Sequence, residues 1–276
     1  MRASTSRRER ALDLFCGAGG ATRGLQQAGF HVTGVDHKPQ RNYCGDVFIQ
    51  ADVLAYLATG DLNQFDFIWA SPPCQRFTML RRAPNAKSSA HPDLITPTRE
   101  LLKRSGKPYC IENVPGAPLN APVVLCGSML NLRAPDGAGL QRHRLFETSF
   151  PLTAPSTCRH TRATIGVYGA HIRDRHRPAG LNHRSGSNRP WEHGFIAMGV
   201  SVGSMTLAEL SEAIPPAYSR FVAEAFLNTL EPGARRPHAD ARAPGFAEEL
   251  ARQRRNEAPL DMGKPDIARL QRQGAA

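Results

Sequence analysis

The chain has 276 residues and carries 35 Lys plus Arg against 24 Asp plus Glu, a net charge of +11. At about 150 residues per domain this is one large domain or one with an insertion; hydrophobic and charged fractions of 41% and 21% exclude collagen-like, wholly disordered and mucin-like chains. No apolar run reaches the roughly 20 residues that cross a bilayer, and the opening MRASTSRRER has no apolar stretch fit for a signal peptide, so a cytoplasmic protein without membrane contact is expected.

Residues 1–150 alternate short apolar runs with helix-like stretches. Ala11 to Phe15, His31 to Asp36, Val47 to Ala51, Phe65 to Ser71 and Pro108 to Val114 read as buried strands, each followed by a glycine- or proline-marked turn. Between them Ala21 to Ala28, Val53 to Thr59 and Asp93 to Arg104 read as helices. This βαβα rhythm predicts a doubly wound, mostly parallel sheet with helices on both faces, whose ligands bind beyond the carboxyl ends of the strands. Residues 151–205 hold 7 basic and 2 acidic side chains and five histidines (His160, His171, His176, His183, His193). They have little apolar periodicity, and read either as a solvated loop region or as a basic insert lying against phosphates. Residues 206–230 return to helix: Thr206 to Ala213, a break at Pro215-Pro216, then an amphipathic Ala217 to Leu230. From Glu231 proline, glycine and mixed charge indicate a flexible tail, 231–276, with short helices near Phe246 to Asn256 and Pro265 to Gln273.

Strand one runs into Asp13-Leu14-Phe15-Cys16-Gly17-Ala18-Gly19-Gly20. Its glycines allow close backbone approach to a nucleotide-like ligand, but Thr22 breaks the full G-x-G-x-x-G and argues against a dinucleotide phosphate cradle. Asp36, closing strand two, is placed to accept from ribose hydroxyls, and Asp52, after strand three, from an adenine amino group; either one alone reads more often as a turn or helix cap. Together they indicate an adenosine-bearing cofactor. Strand four ends in Ser71-Pro72-Pro73-Cys74-Gln75, where two prolines fix the backbone that presents Cys74. Strand five ends in Glu112-Asn113-Val114, where an apolar setting should raise the Glu112 pKa. A thiol nucleophile and a carboxylic acid at neighbouring strand ends form a catalytic pair. Of the other cysteines, Cys16, Cys44, Cys110 and Cys126 read as small buried hydrophobes. Cys158 and His160 make a C-x-H pair, but no second pair at metal spacing is evident and no metal is expected.

The DLFCGAGG loop, SPPCQ, ENV, Arg142-His143-Arg144 and Ala213-Ile214-Pro215-Pro216 stand in the order found in cytosine-5 DNA methyltransferases, and from about residue 11 to 225 the chain resembles that family. The resemblance implies a methyltransferase fold of the S-adenosylmethionine-dependent type, with Phe15 against the adenine, Gly17 and Gly19 near the methionine part, Asp36 on the ribose, Asp52 on the adenine amino group and Pro73 beside the cofactor. It implies Cys74 as nucleophile, Glu112 at the cytosine edge, and Arg142 and Arg144 as basic groups near thiol and base. Residues 151–205 take the place of a target-recognition region. The implied partner is double-stranded DNA in a bacterial or phage-infected cell, at the nucleoid, with the protein acting as a monomer and a cognate restriction endonuclease as a further partner. Alternatives are methylation of tRNA and a catalytically silent DNA-binding homologue. The chain departs from the family pattern at Leu140, where Gln is usual, at Glu212, where Asn is usual, and at Thr78, where Ser is commoner; its recognition segment is also short. A zinc nucleobase deaminase is excluded, since no histidine is followed two residues later by Glu and Phe77 stands where a second cysteine would be.

Overall fold

The computed structural model describes residues 8–73, 92–160, 163–174 and 189–230. Its main sheet has seven strands: β1 (Arg10–Leu14), β2 (His31–Asp36), β3 (Val47–Gln50), β4 (Phe67–Ala70), β5 (Tyr109–Asn113), β6 (Val123–Leu125) and β8 (Arg144–Thr148). The spatial order is β3-β2-β1-β4-β5-β8-β6. The first five are mutually parallel, while β8 runs antiparallel to β5 and β6 antiparallel to β8. All of these residues belong to one compact unit, Met1–Pro232.

The central strands are apolar on both faces, as a sheet covered from both sides requires. In β4 the two-residue period sends Phe67 and Trp69 into one core, with Leu25, Phe30, Tyr218, Val222 and Phe226. Ile68 and Ala70 enter the opposite core, with Leu12, Leu14, Leu57, Leu102 and Ile111. Helix α1 (Gly20–Gln27) lies on the first side with α6 (Pro216–Leu230); α2 (Val53–Thr59) and α3 (Ile95–Ser105) lie on the second. The approach of α6 to α1 requires glycine at position 24, because a Cβ there would stand 2.1 Å from the Pro216 carbonyl oxygen and from Ser219 Oγ. Ser219 uses that proximity to donate to the Ala21 carbonyl at 2.8 Å.

Strands read from the sequence agree with those observed to within two residues at each end, and β2 and α2 have the bounds expected. The Pro215-Pro216 break coincides with the start of α6, where a proline at the first turn costs no hydrogen bond. The loop reading of residues 151–205 is corrected. Strands β7 (Gly139–Leu140), β9 (Thr164–Tyr168) and β10 (His171–Asp174) make a second, three-stranded sheet. With α4 (Trp191–Met198) and α5 (Leu207–Glu212) they enclose a core of Leu140, Ile165, Val167, Ile172, Phe195, Met198, Met205 and Leu210. Its strands are only two to five residues long, too short for a two-residue period to be visible. The expected tail, 231–276, and its short helices lie outside the described residues.

A buried ion pair ties α3 to β8 on the second face of the sheet. Arg99 on α3 donates from Nε and Nη2 to both carboxylate oxygens of Glu147 on β8, and from Nη2 to the Pro118 carbonyl. Glu147 also accepts from the Asn120 backbone N–H, so its charge is met by two partners.

Candidate active site

The carboxyl ends of β1, β2, β4 and β5 open on the same edge of the sheet, and Phe15, Gly17, Asp36, Pro73 and Glu112 lie at or just beyond them. After β1 the chain turns sharply: Phe15, Gly17 and Gly19 all have positive φ, of 58°, 49° and 88°. A phenylalanine in that region is strained, which is common where backbone is shaped around a ligand. Asp36 anchors the turn by accepting from the Gly17 backbone N–H at 3.1 Å and from the Lys38 N–H at 3.0 Å. A Cβ built on Gly17 would meet nothing within 4 Å, so the space above the turn is open. Asp52 is the N-cap of α2 and accepts from the Ala55 N–H at 2.8 Å through Oδ1. Its capping role is therefore real, whatever its second oxygen meets.

Asp13 is a feature the sequence reading passed over. It is fully buried beneath the turn and accepts from the Thr22 hydroxyl at 2.5 Å, so the threonine that breaks the glycine pattern has a local partner. Burial raises the Asp13 pKa to about 7, against the lowering effect of Thr22 and with a further push from Asp36 and Glu112. In the unfolded chain the same group loses its proton near 3.8, so between these values the folded state binds the extra proton and stability falls as pH rises. Asp13→Asn is expected to remove a loss on the order of 4 kcal/mol between pH 4 and pH 8. Urea unfolding at both pH values checks this; equal pH slopes in the two proteins would disprove it.

At the β4 and β5 ends, the register Ala70↔Ile111 brings Ser71-Pro72-Pro73 beside Glu112-Asn113. The Asn113 side-chain amide donates to the Pro72 carbonyl at 2.9 Å, and its oxygen accepts from the Val114 N–H. The ENV asparagine thus pins the backbone two residues ahead of position 74. Cys74 itself, with Gln75, Arg76, Thr78, Arg81 and Arg82, lies outside the described residues. Glu112 is 4% exposed and pairs with Arg144, Oε1 to Nε, at 3.1 Å. Burial raises its pKa, opposed by Arg144, by a hydrogen bond with Ser71 and by Arg142. Arg144 also donates from Nη1 to the His143 carbonyl.

Arg142 stands differently from its neighbour. It is 4% exposed, and its guanidinium donates to the carbonyls of Val167, Ser211 and Ala213. It thereby joins β8, the second sheet and the segment before Pro215. Gln141 pairs with the Thr164 hydroxyl at 3.1 Å, and Glu212 is exposed at the end of α5.

The expectation that Cys158 and His160 lack partners is corrected: Cys126 and His143 join them, with all four ligating atoms within 4.8 Å of one another. Sequence spacing missed this because Cys126 and His143 sit 17 positions apart on adjacent antiparallel strands. The register Leu125↔Arg144 sets the residue after β6 opposite the residue before β8. The other described cysteines are unsuited to nucleophilic work, since burial raises the thiol pKa of Cys16, Cys44 and Cys110.

The fold is an α/β methyltransferase fold. The chain is similar to the solved structure of S. pombe Dnmt2 methyltransferase, with a TM-score of 0.53 at 13% identity over 81% of this chain and 99% of that one. It is similar also to Entamoeba histolytica methyltransferase EhMeth, with a TM-score of 0.51 at 11% identity over 82% and 100%. Residues 10–119, which contain the first five strands, match the family model described as C-5 cytosine-specific DNA methylase. The chain is 36% identical over 104 residues to the "Probable DNA (cytosine-5)-methyltransferase" of Frog virus 3 (isolate Goorha), which is 35% of this chain and 45% of that protein. The chain thus spans under half the length of this curated relative, and the family resemblance is shown through the β1–β5 segment. No described helix is long and apolar enough to cross a membrane.

Proposed function

We propose that the protein transfers a methyl group from S-adenosylmethionine to carbon 5 of cytosine in DNA. The observation that carries this reading is the joining of Ser71-Pro72-Pro73 to ENV: a buried Glu112, its pKa raised by burial, stands beside a backbone, held by Asn113, that continues in sequence to Cys74. The open, positive-φ turn over Gly17, with Asp36 beneath it, fits the adenosine and methionine parts of the cofactor. When bound there, S-adenosylmethionine supplies an electrophilic methyl group. Phe15, Gly17, Gly19, Asp36, Asp52 and Pro73 would hold it.

Carbon 5 of neutral cytosine is a weak nucleophile. In this reading the Cys74 thiolate adds to carbon 6 while Glu112 donates to ring nitrogen 3, so the ring becomes an enamine nucleophilic at carbon 5. Loss of the carbon 5 proton later expels the cysteine. Arg144 orients Glu112 through their ion pair and moderates its pKa. Arg142, bound to three carbonyls, positions the start of β8. The ring faces are reachable only if the base leaves the stack, and the basic excess of residues 151–205 suits the phosphates flanking an extruded nucleotide.

The test is methyl transfer with labelled S-adenosylmethionine on duplex DNA and on tRNA, followed by bisulfite sequencing of DNA from expressing cells. Label in DNA at defined cytosines is the expected result. Label confined to tRNA would overturn the substrate, and label in neither would overturn the reaction.

A further inference from the structure

We propose that Cys126, His143, Cys158 and His160 bind a zinc ion in a closed, tetrahedral site. This site stands apart from the methyl-transfer reading and does not depend on it. Its four ligands come from three separate stretches of chain: the residue following β6, the residue preceding β8, and the C-x-H pair in the irregular segment that follows β8.

The geometry is that of a tetrahedral donor set. The two histidines converge through Nε2, 3.4 Å apart, and their rings meet edge to face. Cys158 Sγ lies 3.3 Å from His143 Nε2 and 3.0 Å from His160 Nε2, and Cys126 Sγ lies 3.7 Å from His160 Nε2. Zinc–sulfur bonds of about 2.3 Å and zinc–nitrogen bonds of about 2.0–2.1 Å at tetrahedral angles put nitrogens about 3.4 Å apart and sulfur about 3.6 Å from nitrogen. The donor atoms are therefore spaced close to what an ion between them requires. Two thiolates and two imidazoles, with no carboxylate, select zinc over magnesium or calcium.

Its surroundings favour a structural role. Cys126 has no exposed surface and cannot reach an outside substrate, as suits a ligand held inside the fold. Ser128 Oγ lies 3.4 Å from Cys158 Sγ, as a second partner of a ligating thiolate does. Binding would release the two thiol protons to solvent and leave a neutral Cys2His2 centre. The segment from Pro151 to His160 has no helix or strand of its own, and the ion would fasten it to the β6–β8 edge. With His143 held, the flanking Arg142 and Arg144 are fixed as well.

The full chain purified without chelator from zinc-supplemented cells should contain about one zinc per molecule by elemental analysis. After removal of zinc, cobalt(II) should give the intense visible bands of a tetrahedral ion together with thiolate-to-cobalt charge transfer. Cys158→Ala should weaken cobalt binding at least about 100-fold. His160→Cys keeps four ligands, so it should retain the metal and strengthen the charge-transfer band. The cobalt titration of the unaltered chain does not depend on any variant folding. Absence of both zinc and a tetrahedral cobalt spectrum would overturn the site, as would a cobalt spectrum unchanged by both substitutions.

Discussion

Cys74→Ala is expected to abolish methyl transfer while leaving DNA affinity within a few-fold of the unaltered protein. Among the described residues no other thiol at this end of the sheet is suited to replace the lost sulfur. Burial raises the thiol pKa of Cys16, Cys44 and Cys110, and Cys126 and Cys158 face His143 and His160. Without addition at carbon 6 the ring stays aromatic, and the barrier to alkylation at carbon 5 is left without covalent relief. The substitution removes no charge expected to contact phosphate, so binding should persist. A gel-shift titration paired with a labelled-methyl assay separates the two effects. A second readout is a covalent complex with duplex containing 5-fluorocytosine: fluorine cannot leave as a proton does, so the adduct accumulates with Cys74 present and should be absent in the variant. Undiminished turnover or an undiminished adduct would remove Cys74 from the mechanism.

Glu112→Gln is expected to lower kcat by about 10²- to 10⁴-fold, the range found when a positioned acid or base is removed. The pH profile is the sharper test. Glu112 is buried on an apolar strand and keeps its proton to higher pH than an ordinary glutamate, so its neutral, donating form is depleted only as pH rises through that raised value. Cys74 works in the opposite sense, since its thiolate is depleted as pH falls. The unaltered enzyme should therefore show a bell-shaped profile whose alkaline limb belongs to Glu112. Glutamine offers an N–H at every pH, so the variant should be slow and should lack that limb. Loss of activity with the alkaline limb intact would assign the limb to another group and leave Glu112 a positioning role.

Much of this site was legible because its chemistry lies at strand ends within short contiguous motifs. DLFCGAGG, SPPC and ENV each mark a place where an apolar run stops and a constrained turn begins, and the parallel order then makes them neighbours. Asp13 was illegible for a physical reason: it is part of an apolar run, and only the register of α1 against β1 shows that Thr22 faces it. The second sheet was hidden by strand length. The Cys126–His143 contact was hidden by the antiparallel insertion of β8 between β5 and β6, which no local spacing reveals. Arg142 and Arg144, two positions apart and alike on paper, separate in the fold. One pairs with Glu112, and the other saturates three carbonyls.

The seating of α6 on α1 also bears on how the chain is made. Phe30, Phe67 and Trp69 are complete by the time the first third of the chain has emerged from the ribosome, yet Tyr218, Val222 and Phe226, which share their core, are among the last of the described residues to be synthesised. Until then an apolar wall of the sheet has no lid. The nascent chain spends most of translation with that surface open to chaperones or to other unfinished copies. A premature stop anywhere before Pro216 would leave it so permanently.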